Sequence, residues 1–358
     1  LKITKANFIE DRHRRRTAKA SIVCENPPMP RLLLVKTSSL GDVVHNLPIL
    51  ADIRTYFPDT RFDWVVEESF ADIPALHPAV DHVFPVAIRR WRRNLFSAAT
   101  WREIAATRRQ LRASRYDLVL DSQGLLKSAL IALLAQGEKH GYDSRSIREP
   151  VASLFYGHRH AVSRTLHAVT RNRLLAAAAL GYPPPSTPPD YGIRAPKQPL
   201  PLDLPPRYVA ALHASSRDSK LWPQTHWVEL GRTLAAAGSP LVLPWGNERE
   251  RARAQAIAAQ VPHALVLPRL RLAQLATLLA GAWAVVGVDT GLVHLAAALD
   301  VPTVALYTDT DPQRTGVFPG RAQSAINLGG VGQVPAPAAV LEALERLDRP
   351  PAMSRHSG

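Results

Sequence analysis

The chain has 358 residues, a formal net charge of +14, an apolar fraction of 46% and a single cysteine, Cys24. One cysteine excludes a disulfide framework and a cysteine-based zinc site. No apolar run reaches the roughly 20 residues of a membrane-spanning helix; the longest, Ser128–Ala135, is far shorter. The length suits two ordinary domains, and the positive balance favours acidic partners. No basic stretch interleaves with stacking aromatics, which argues against a single-strand nucleic-acid binder.

Residues 1–28 hold the basic cluster Arg12–Arg16 without an apolar h-region, so they do not read as a secretory signal. Met29 stands two residues before the first apolar run. The expectation is a disordered, non-native extension over 1–28, with Met29 as the initiator.

The segment Arg31–Leu47, RLLLVKTSSLGDVVHNL, reads as a buried strand ending at Val35, a polar loop, and the start of a helix over Val43–Phe57 that Pro58 ends. Such a loop lies at the carboxyl end of a parallel strand, where open α/β sheets bind ligands. Two readings of Asp42 are open here: a helix cap beside a turn glycine, or a catalytic base beside a glycine that admits substrate. Strands follow at Phe62–Val66, His82–Val86 and Leu118–Leu120, with helices at Trp101–Ala113 and Leu126–Ala135. This alternation predicts a mostly parallel sheet covered on both faces. The basic runs Arg89–Arg93 (RRWRR) and Arg145–Arg148 read as solvated faces, with Trp91 tilting the first toward a binding surface.

Prolines crowd residues 182–206, predicting extended, semi-rigid chain between domains 29–181 and 207–348. The α/β rhythm then resumes. Strands are expected at Tyr208–Leu212, Leu241–Leu243, Ala264–Leu267, Ala284–Val288 and Thr303–Leu306. Helices are expected at His226–Ala237, Glu248–Gln260, Leu272–Ala280, Leu292–Leu299 and Ala338–Leu347, before a polar tail, 349–358. Three loops follow strands. HASSRDSKLWP (213–223) offers hydroxyls at Ser215 and Ser216 and cations at Arg217 and Lys220, which suit a phosphate or an ordinary polar loop. PWGNERE (244–250) offers Gly246 and Glu248. VDTGLVH (288–294) ends a strand at Asp289 and opens a helix at Thr290 and Gly291, whose free N–H groups suit an anion. His294, one turn in, reads either as a packing histidine or as a phosphate donor. No GxGxxG or Walker loop is present, against a nicotinamide dehydrogenase.

These motifs resemble glycosyltransferase family 9, which has the GT-B fold. The resemblance runs from about Pro30 to Leu347 and rests on VKTSSLGDVVHNLP, FDWVVEESFADIP, VAIRRWRR, DSQGLLKSAL, REPVASLFY, HASSRDSKLWP, LPWGNE and VDTGLVHLAAALD. It implies two Rossmann-like α/β domains facing each other across a cleft. It also implies inverting transfer of L-glycero-D-manno-heptose from ADP-heptose to the Kdo of Kdo2-lipid A, with no obligatory cofactor and no metal. By resemblance, Asp42 is the general base, Ser215, Ser216 and Lys220 hold the pyrophosphate, and Glu248 holds the ribose. Asp289 then positions the heptose, and Thr290, Gly291 and His294 form the phosphate-binding helix start. Ser39, Gly41, Arg89, Arg90, Arg92, Arg93, Lys127 and Arg148 fall on the acceptor side. The family often has threonine where this chain has Ser215 and Ser216, and either hydroxyl donates. DWVVEE and RRWR point to the branch that adds the first heptose. The alternatives are the branch that adds the second heptose and, more remotely, a non-enzymatic nucleic-acid binder with salt-dependent affinity. The implied setting is a cytoplasmic monomer, without a nucleic-acid partner, held peripherally on the anionic inner-membrane surface.

Overall fold

A computed structural model describes residues 30–348; the expected extension 1–28, Met29 and the tail 349–358 lie outside the described residues. Twelve strands form two six-stranded sheets. The first contains β1 (Arg31–Val35), β2 (Arg61–Glu67), β3 (Val80–Val86), β4 (Arg115–Asp121), β5 (Gln136–Tyr142) and β6 (His158–His160). The second contains β7 (Val209–Leu212), β8 (Leu241–Leu243), β9 (Leu265–Val266), β10 (Ala284–Val288), β11 (Thr303–Tyr307) and β12 (Ala325–Gly329). Strand orders are 3-2-1-4-5-6 and 12-11-10-7-8-9, and every pairing is parallel.

Burial on both faces explains the apolar runs. Leu32 and Leu34 pack on one side of β1 with Trp64 and Leu120. Leu33 and Val35 pack on the other with Val65 and Val119. In β7, Ala210 and Leu212 face one core while Val209 and Ala211 face another. A parallel sheet covered by helices needs this continuous pattern. The strand order reverses between β1 and β4 and between β7 and β10, so the loops after these strands diverge and leave a crevice at each switch point.

The predicted helix Val43–Phe57 is two helices, Leu40–Val44 and Pro48–Tyr56. Pro48 brings no N–H, so it opens a new helix more readily than it continues one. Strands β5, β6 and β12 and the helix Ala168–Leu180 are absent from the sequence reading. In β5, QGEKHGY carries no sustained apolar alternation. The proline-rich stretch 182–206 contains neither helix nor strand, as expected. It is nevertheless anchored: Tyr191 donates to the Phe318 carbonyl at 2.7 Å and Thr277 to the Pro196 carbonyl at 2.6 Å.

The sheets meet where the helix Leu40–Val44 packs on the helix Gly291–Ala298. Two glycines permit this approach. A Cβ on Gly291 would lie 2.5 Å from the Leu40 Cβ, and one on Gly41 would lie 2.9 Å from the His294 ring.

Candidate active site

The first wall of the cleft is built on the loops after β1 and β4. Asp42 sits in the third position of its short helix. Its Oδ2 accepts from the Ser39 backbone N–H at 2.8 Å and from the Ser39 hydroxyl at 2.9 Å. This reciprocal half of a capping box locks the carboxylate at the cleft edge, so the cap contact is real and leaves Oδ1 without a partner among the described residues. Gln123 secures the loop by accepting from the Thr37 and Ser38 N–H groups at 3.1 and 3.2 Å. Gln123 in turn follows Asp121, a buried carboxylate that accepts from the Gln123 and Gly124 N–H groups and the Tyr156 hydroxyl. Burial pushes the Asp121 pKa up, opposed by those hydrogen bonds. Beneath the loop, Lys36 is buried and donates to the Ser122 carbonyl at 3.0 Å. Burial pulls its pKa down, while the charges of Asp42 and Asp121 hold it up.

The basic residues of this wall divide into two kinds. In the helix Ile88–Arg93, Ile88 and Trp91 face the core three residues apart. That spacing turns Arg89, Arg92 and Arg93 outward. Trp91 is therefore a core anchor, bonded through its indole N–H to Glu103 at 2.8 Å, and not the binding surface expected of it. Arg90 departs from the acceptor role as well. Its guanidinium is held by Glu103 at 2.9 Å and Glu68 at 3.1 Å, and these carboxylates raise its pKa. Arg89, Arg92, Arg93 and Arg148 carry no ion pair among the described residues. Lys127 donates to the Ser38 hydroxyl at 3.2 Å. Burial lowers its pKa, Glu67 opposes this, and the neighbouring charges of Arg89 and Arg92 add to it. The first wall thus gathers cations without an ion pair, Arg89, Arg92, Arg93, Lys127 and Arg148, beside the clamped Arg90.

The second wall follows β7, β10 and β11. Lys220 pairs with Asp289 Oδ2 at 2.6 Å, and Thr310 donates to the same oxygen at 2.6 Å. Ser215 donates to the Asp289 carbonyl at 2.9 Å. Ser215, Ser216 and Thr290 line a cavity of about 460 Å³ that also touches Leu40, Ser69 and Phe70 of the first wall. Thr310, Gln123 and Lys36 were not singled out from sequence, because their roles depend on loops distant in the chain.

Three expectations are corrected here. Glu248 is exposed, pairs with Arg251 at 3.3 Å and does not line the cavity. Glu250 instead lines the cavity and accepts from the Gly246 N–H at 2.7 Å. The signal was present as N-x-x-E: Asn247 caps the helix, and the glutamate three residues later folds back over the preceding loop. His294 is buried with Nδ1 3.0 Å from His45 Nε2, across the interface. Burial pulls its pKa down to about 4, so it is a neutral packing histidine. Gly41 serves the contact between the walls, its open side filled by the His294 ring and not left for a substrate, and Gly291 serves the same contact against Leu40. The charges of Asp289 and Asp42 oppose the effect of burial on His294, while those of His167 and Lys220 add to it.

Residues 104–336 match the family model for glycosyltransferase family 9 (heptosyltransferase). The chain is 50% identical over 292 residues to lipopolysaccharide heptosyltransferase 1 of Escherichia coli strain K12, covering 80% of this chain and 91% of that protein. The fold matches the E. coli heptosyltransferase WaaC with ADP at a TM-score of 0.81 and 44% identity, covering 88% of this chain and 99% of that one. WaaC with ADP-2-deoxy-2-fluoro heptose matches at 0.78 and 46%, with coverage of 88% and 99%. The two facing parallel sheets are the GT-B arrangement of these neighbours. By sequence, by fold and by the cleft between its sheets, the chain belongs to glycosyltransferase family 9, the heptosyltransferases.

Proposed function

We propose that the protein transfers L-glycero-D-manno-heptose from ADP-heptose to the Kdo of Kdo2-lipid A with inversion at the anomeric carbon. The observation that carries this reading is that the half-buried Asp42 lies on the helix Leu40–Val44, which packs on the helix Gly291–Ala298 that follows the Lys220–Asp289–Ser215 group. The ligand of the related WaaC structure, ADP-2-deoxy-2-fluoro heptose, supports the donor. Residues 29–181 are assigned to the acceptor, 207–348 to the donor and 182–206 to the joint.

In the proposed reaction Asp42 takes the proton of the acceptor hydroxyl as that oxygen attacks the anomeric carbon, and the bond to ADP breaks on the opposite face. A single displacement of this kind needs one base. The charge that develops on the departing diphosphate is met by Lys220, by the hydroxyls of Ser215 and Ser216, and by the N–H groups after Thr290. Lys220 must then exchange Asp289 for phosphate, which frees the Asp289 carboxylate to orient sugar hydroxyls. Glu250, in place of Glu248, is assigned to the ribose. Arg89, Arg92, Arg93, Lys127 and Arg148 are assigned to the carboxylates and phosphates of the acceptor. No helix among the described residues is long and apolar enough to cross a membrane; the free cations support peripheral attachment to an anionic leaflet.

Incubation with ADP-heptose and Kdo2-lipid A, read by mass spectrometry, is expected to add one heptose. Product from a heptosylated acceptor alone would shift the assignment to the second-heptose branch. Absence of product from either acceptor would overturn both.

A further inference from the structure

The outer edge of the first sheet carries a cluster that heptosyl transfer does not use. The parallel register sets His140 of β5 opposite His158 of β6, and Tyr142 opposite His160. The two-residue period of a strand then places Glu138 and His140 on the same face as His158 and His160. Glu138 Oε2 lies 2.9 Å from His158 Nε2 and 4.0 Å from His140 Nε2. One donor atom from each of the three residues falls within 4.8 Å of the others. Donors held about 2.0–2.1 Å from a tetrahedral ion stand about 3.3 Å apart, so small side-chain rotations suffice to close this set.

His160 completes the arrangement. His140 Nδ1 is 3.0 Å from His160 Nε2. With Nδ1 as the donor, His140 Nε2 keeps its lone pair for the cluster, as when a metal-bound histidine gives its other N–H to an acceptor. The His140 ring lies 5.2 Å from the His160 ring, centroid to centroid, and 4.4 Å from that of His158, which turns out of this stack to bring both Nε2 lone pairs onto one ion.

We propose that Glu138, His140 and His158 bind one divalent transition-metal ion of the zinc class, with His160 orienting His140. Two imidazoles and one carboxylate suit such an ion, whereas magnesium and calcium take oxygen-rich sets. The site is a structural pin. It ties the three-residue edge strand β6 to β5, and β6 leads into a loop fixed by the Asp143 N–H on the His160 carbonyl and the Val162 N–H on the Ser146 hydroxyl.

The test titrates zinc chloride into the tag-free full chain after chelator treatment, with calorimetry and thermal melting as readouts. One zinc per chain and a melting temperature that rises with zinc are expected. The double variant Glu138→Gln/His158→Ala alters two exposed side chains; it should keep the metal-free melting temperature and lose the zinc response. His160→Ala should weaken zinc about tenfold. Equal zinc affinity in the double variant overturns the proposal, as does a magnesium response equal to that of zinc. X-ray absorption at the zinc edge should show imidazole scattering from two ligands, and its absence also overturns the assignment.

Discussion

The two walls of the cleft handle charge in opposite ways. On the second wall, cation and anion are already satisfied: Lys220 and Thr310 converge on one carboxylate oxygen of Asp289. On the first wall, Arg89, Arg92 and Lys127 carry no ion pair among the described residues; burial lowers the Lys127 pKa, Glu67 opposes this, and the charges of Arg89 and Arg92 add to it. A paired wall is stable when empty and must trade partners to bind. An unpaired wall keeps its cations free to neutralise an anionic ligand without first giving up a partner.

The largest expected effect concerns the one group that belongs to neither charge pattern. Asp42→Ala should lower kcat about 10²–10⁴-fold with ADP affinity nearly unchanged; undiminished turnover would remove Asp42 as the base. On the paired wall, Lys220→Ala should weaken ADP roughly 10- to 100-fold, the worth of a charged hydrogen bond. The same loss in a Lys220→Met/Asp289→Asn double variant would show that phosphate contact, and not a stranded Asp289, carries the effect.

The contact between the walls offers the next test. Gly291→Ala drives a methyl into Leu40 and should cost about 1–3 kcal/mol, read by denaturant unfolding; no loss would mean that the walls do not meet there. On the unpaired wall, Arg92→Ala should raise the acceptor KM severalfold at constant donor KM, whereas Arg90→Ala should leave the acceptor KM unchanged. Equal effects would erase the division between free and clamped arginines. The smallest effect is on pH dependence. Burial holds the His294 pKa near 4 against an ordinary 6.5. Between these values the unfolded chain takes up a proton that the folded chain refuses. Stability should therefore fall as pH drops below 6.5, by at most about 1.4 kcal/mol per pH unit for this histidine. A melting temperature independent of pH from 6.5 to 5 would contradict a buried, neutral His294.

Much of the architecture was legible because it follows from local pattern. Runs such as RLLLV and AVVGV are long enough only for strands buried on both faces, and the helices between them carry ordinary amphipathic spacing. The cluster of prolines at 182–206 announced extended chain for the simple reason that proline lacks an N–H. The polar strands β5 and β6 are not legible in the sequence because QGEKHGY carries no sustained apolar alternation and β6 is a three-residue edge strand, and only their register assembles the glutamate and histidines.

Sequence by itself determined the two parallel α/β halves, the loops at their strand ends, and Asp42, Lys220, Ser215 and Asp289 as the residues of interest, since chemistry of that kind is written in residue type and position. Only the tertiary structure decided which neighbours those residues meet. It set Glu250 rather than Glu248 at the cavity, turned Trp91 inward and Arg92 outward, buried His294 against His45, and assigned Gly41 and Gly291 to the contact between walls. The reason is physical: burial, pairing and steric clearance are properties of groups brought together from distant parts of the chain.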